Sequence, residues 1–94
     1  MSSEEYMELG GLILKFSGLM IKRLVKENKP PCLQLNIQEL VRNLIEMVKE
    51  FNEAYTKSDK ETMSNRLIDI ANYCALLYFK INKDQNPFNS STSL

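Results

Sequence analysis

Residues 67–79 read Leu67-Ile68-Asp69-Ile70-Ala71-Asn72-Tyr73-Cys74-Ala75-Leu76-Leu77-Tyr78-Phe79, and this stretch decides the fold. No glycine or proline interrupts it. Met63, Leu67, Ile70, Cys74, Leu77 and Ile81 recur three or four apart, the spacing of one helix face. The other sides of the same helix are nearly as apolar, and a helix that is hydrophobic all round has to be covered all round. A chain of 94 residues buries only about 60–65% of its unfolded surface. The sequence therefore predicts that a second copy covers part of this helix, in a homo-oligomer that is a dimer or a tetramer.

Asp69 and Asn72 are the polar exceptions. A carboxylate in such a helix needs a partner, a cation or a raised pKa. Pairing with Arg66, Lys22 or Lys26 is one solution, and a metal or ligand site is the other.

Working outward, Ser58 and Glu61 form a Ser-x-x-Glu signal that opens this helix, and it should run to about Asn82. Residues 84–94 (DQNPFNSSTSL) are polar and aperiodic and read as a C-terminal tail. On the other side, Asn36 with Glu39 forms a capping-box arrangement. The helix it starts carries Ile37, Leu40, Leu44, Met47 with Val48, Phe51 and Tyr55 and should fade near Tyr55 to Lys57. The short join predicts an antiparallel hairpin. A first helix, from about Ser3 to Glu27, has the stripe Tyr6, Leu9, Ile13, Phe16, Met20 and Leu24. Gly10-Gly11 within it marks a bend or a close helix contact, and Pro30-Pro31 follow its end. The fold class is all-α: a single domain over residues 1–83, three helices with a long antiparallel hairpin, the bundle completed by oligomerisation.

Composition narrows the function. Twelve basic and 12 acidic residues give a formal net charge of zero, which supplies no field for nucleic acid or an acidic membrane. The longest nearly uncharged stretch, residues 67–79, is too short for a bilayer, which needs about 20 residues. Without histidine, the commonest general base and metal ligand is missing, so catalysis would rest on carboxylates, lysines or tyrosines. Cys32 and Cys74 fit neither a disulfide framework nor a zinc site and read as reduced thiols. An acidic N-terminus without a basic region is no secretory signal, and the expected location is cytoplasmic.

Two polar faces remain. Glu39, Glu46, Glu50 and Glu53 fall within about 60° of one another on the second helix. They form either a solvated acidic face or a row of carboxylates for a hard cation such as Mg²⁺. Lys22, Lys26 and Lys29 share one side of the first helix, where cations meet the helix dipole or form a rim for phosphate. Neither nucleotide-binding glycine fingerprint is present.

The segments IEMVKEFNEA and NRLIDIANYCALLY resemble the core of the all-α nucleotide pyrophosphohydrolases, the MazG and dimeric dUTPase-like superfamily. The resemblance covers roughly Leu40 to Ile81. The family hallmark is Glu-Glu-x-x-Glu on one helix and Glu-x-x-Asp on the next, often followed by Ala-Asn-Tyr. Glu46, Met47 and Glu50 fall on the first motif, Arg66 and Asp69 on the second. Such proteins hold Mg²⁺ with these carboxylates and use metal-activated water to release pyrophosphate from nucleoside triphosphates. The resemblance implies Glu50 and Asp69 as catalytic residues and Glu46, Glu50 and Asp69 as metal ligands. Lys22, Lys26, Arg66 and Asn72 would then face the nucleotide. Met47 is too soft a ligand for Mg²⁺, and Arg66 puts a cation where an anion belongs. The expectation is a nucleotide-binding protein with impaired or lost Mg²⁺-dependent hydrolysis. The alternative is a non-catalytic helical oligomer serving as a viral or regulatory adaptor.

Overall fold

The computed structural model describes residues 2–26 and 34–85. Three helices follow one another: α1 (Ser3–Lys26), α2 (Ile37–Thr56) and α3 (Lys60–Gln85). Each begins on a side chain that satisfies amide donors left open by the first turn. At α1, the Glu5 N–H donates to Ser2 Oγ (3.2 Å) while the Ser2 N–H donates to the Glu5 carboxylate (3.2 Å). At α2, the Glu39 N–H donates to Asn36 Oδ1 (2.8 Å) and the Asn36 N–H to Glu39 Oε1 (3.0 Å), the capping box read from the sequence.

The cap of α3 is one residue away from the expected place. Asp59, not Ser58, accepts from the Thr62 N–H (3.1 Å) and the Thr62 hydroxyl (2.6 Å). Ser58 instead takes a left-handed conformation (φ 56°) that closes the hairpin. Its N–H donates to the Tyr55 carbonyl (3.1 Å) as the Asp59 N–H reaches back to the Ala54 carbonyl (2.9 Å). The two hydrogen bonds through which Asp59 holds Thr62 also keep its carboxyl below the ordinary value of 3.8, with the Lys57 charge adding to the effect.

The core belongs to the hairpin. Leu40, 1% exposed, packs with Tyr73 and Leu77, and Leu35, Ile37, Leu44, Met47 and Leu76 close around them. Ala54 is buried at the hairpin end. α1 packs on α3, turning Phe16, Met20 and Leu24 towards it half-buried, yet no residue of α1 is buried.

Several stripe positions lie outside the core. Tyr6, Ile13 and Tyr55 are exposed, as are Leu67 and Cys74 on α3. Leu76 lies against the internal core, while Tyr78 and Phe79 face outward, edge to face. α3 runs to Gln85, so the first two residues of the expected tail are helical; residues 86–94, Cys32 and Pro30-Pro31 lie outside the described residues. α1 is continuous through Gly10-Gly11, and a Cβ added at either would meet nothing within 4 Å, so the pair marks no close helix contact. No described helix is long and apolar enough to cross a membrane.

A candidate functional site held by two arginines

The hairpin and α1 meet around Asp69. Arg66 lies three residues earlier on α3, so both side chains leave the same face of that helix. Arg66 Nε donates to Glu50 Oε1 on α2 (2.7 Å), and its Nη1 donates to Asp69 Oδ2 (3.0 Å). From α1, Arg23 Nε donates to Asp69 Oδ1 (2.5 Å) and Nη2 to Oδ2 (3.2 Å), a two-pronged grip that suits the planar guanidinium. The side chains of Asp69, Arg23 and Arg66 are 13%, 19% and 24% exposed. Two carboxylates and two guanidiniums thus neutralise one another where all three helices meet.

One turn further along α3, Asn72 is buried and its Nδ2 donates to the Met20 carbonyl of α1 (3.2 Å). It binds helix to helix. The sequence-predicted residues therefore divide in two. Glu50, Asp69 and Arg66 come together, and Asn72 sits beside them. Glu46, Lys22 and Lys26 are exposed and take no part in these contacts. Glu46, one turn earlier on α2, is level with Ile70 in the antiparallel register, but its side chain is exposed to solvent. Met47 faces the apolar core, where a carboxylate would be buried.

Arg23 is the member that sequence reasoning passed over in favour of Lys22 and Lys26. Its signal was present. Arg23 follows Phe16 and Met20 at spacings of seven and three, on the stripe that meets α3, whereas the two lysines occupy another side.

A shallow cleft of about 210 Å³ lies beside the cluster at the hairpin end, lined by Glu50, Glu53, Ala54, Lys57, Asp59 and Thr62. It is smaller than the roughly 300 Å³ typical of small-molecule pockets, and three carboxylates against one lysine would repel a phosphate. Among the described residues, no three acidic or cysteine side chains gather as a metal-holding group. The donor set around Asp69 does not fit Mg²⁺ as it stands, because a guanidinium already joins the two carboxylates an ion would need.

Comparison with protein-family models, with curated proteins and with solved structures found no match. The fold and site define a class only: an all-α three-helix protein with a charge-neutral, arginine-bridged centre.

Proposed function

We propose that this chain is a pyrophosphohydrolase-like helical protein in which Arg66 takes the place of the divalent ion, and that it works as a non-catalytic adaptor. One observation carries this reading: Arg66 joins Glu50 to Asp69, the two carboxylates that fall on the motif positions of the resemblance. A permanently charged guanidinium neutralises them without metal. Mg²⁺ would have to displace it and then bind beside two arginines, a repulsion on the order of several kcal/mol before screening. Asp69, gripped from both sides, gives three of its roughly four acceptor positions to guanidinium donors, which leaves little of the carboxylate for a water.

The nucleotide-binding reading keeps one support. Arg23 and Arg66 converge while partly exposed, and a phosphate is the anion best able to compete for such a pair.

Pyrophosphate release from a panel of nucleoside triphosphates, with and without Mg²⁺, separates these possibilities. The expected result is no Mg²⁺-dependent release. Robust release that Asp69→Ala abolishes would overturn the proposal. Metal-independent nucleotide binding that Arg66→Ala removes would favour the binding role.

A further inference from the structure

α1 has a second apolar face that no described element of its own chain covers. Met7, Gly11, Leu14, Gly18, Ile21 and Val25 follow one another at spacings of four, three, four, three and four. They lie within about 80° of one another, on the side away from Phe16, Met20 and Arg23, which meet α3. Their exposure is high: 75% for Met7 and Leu14, 64% for Ile21 and 74% for Val25. At Gly11 and Gly18 an added Cβ would meet nothing within 4 Å, so the glycines leave grooves that open outward.

We infer that this face pairs with the same face of a second copy, antiparallel, in a two-fold dimer. Sizes match in that register. Met7 meets Val25 of the second copy, Gly11 meets Ile21, and Leu14 meets Gly18. Each glycine thus receives a large side chain, and the backbones approach closely.

Charge selects the same direction. Glu4, Glu5 and Glu8 lie in the first half of α1, Lys15, Lys22 and Lys26 in the second. Antiparallel pairing sets Glu8 beside Lys22 of the second copy and Glu4 beside Lys26, and opposes the two helix dipoles. Parallel pairing would lay the two acidic halves side by side and align the two helix dipoles. Lys15 alone meets its own copy at the axis, where its long stem carries the charge out to water.

Met7, Leu14, Ile21 and Val25 present about 500 Å², so the pair would bury about 1,000 Å² in all, the lower bound for a specific interface. Because the face is turned away from the arginine cluster, failure of this pairing would leave the Mg²⁺ result standing, and the reverse holds too.

Sedimentation equilibrium of the full chain provides the test. Twice the 10.9 kDa chain mass is expected at micromolar concentration. Leu14→Glu should reduce it to the monomer mass with helical circular dichroism retained. Gly18→Leu should also dissociate the dimer while raising monomer stability, since leucine is the better helix former and the site is open. In a Cys32→Ser, Cys74→Ser background, a Met7→Cys chain should oxidise to a Val25→Cys chain and not to itself. A wild-type monomer, a dimer that survives Leu14→Glu, or a monomer that binds vesicles of anionic phospholipid through this face would each overturn the inference.

Discussion

The α2–α3 hairpin and α1 are built from equally apolar sequence but are held in different ways. The hairpin buries Leu40, Tyr73 and Leu77 in one cluster, whereas α1 buries no residue and is fixed to α3 by Arg23–Asp69, the Asn72–Met20 hydrogen bond and half-buried side chains. The difference teaches that hydrophobicity alone does not assign a helix to the core. Packing within the chain stabilises the hairpin, and directional polar contacts orient α1 while leaving its far side bare.

That contrast can be broken by substitution. The largest effect is expected in the hairpin: Leu40→Ala should cost about 2–5 kcal/mol, enough to unfold much of a domain this small. The equivalent change on α1, Leu14→Ala, should leave the monomer's stability almost unchanged. Chemical denaturation of both variants below the dimerisation concentration checks the difference. Next comes the double change Met47→Glu with Arg66→Glu, which restores the acidic motif on paper. It should destabilise the chain, because residue 47 faces the core and Glu50 and Asp69 lose their shared cation. A melting temperature at or above wild type would show that Met47 is placed wrongly.

Asp69→Ala should cost somewhat less, about 2 kcal/mol, since it leaves two partly exposed arginines without it. The loss should be concentrated in α1, read as faster amide exchange there than in the hairpin. The smallest effect belongs to the hairpin turn. The carboxyl of Asp59 is held below its ordinary value of 3.8, so its stabilising contribution is complete above that pH and fades as pH falls through the lower folded value. Asp59→Asn should therefore melt below wild type near neutrality, and the gap should close under strongly acidic conditions.

Much of this was legible in the residues. Asn36 with Glu39 announced α2, and Arg66 was named as one partner for Asp69. Two overlapping signals caused the error at α3: Ser58-x-x-Glu61 and Asp59-x-x-Thr62 differ by one residue, and only the positive φ at Ser58 decides between them. The stripe read on α1 is covered only in its second half, at Phe16, Met20 and Leu24, while Tyr6 and Ile13 stay exposed; with apolar residues around most of the circumference, periodicity could not tell how far along the helix the cover extends. Glu46 shows a related limit. Motif spacing groups it with Glu50, but its side chain is exposed while Glu50 turns in to Arg66.

The central claim, that Arg66 stands where the resemblance would put an ion, is tested most directly by thermal unfolding of wild type and Arg66→Gln with and without millimolar Mg²⁺. An ion that binds the folded chain raises its melting temperature. Wild type should show no specific rise. Arg66→Gln should melt lower without the ion and recover part of the loss with it, because Glu50 and Asp69 are then free to share one. A rise in the wild type that Asp69→Ala removes would contradict the account.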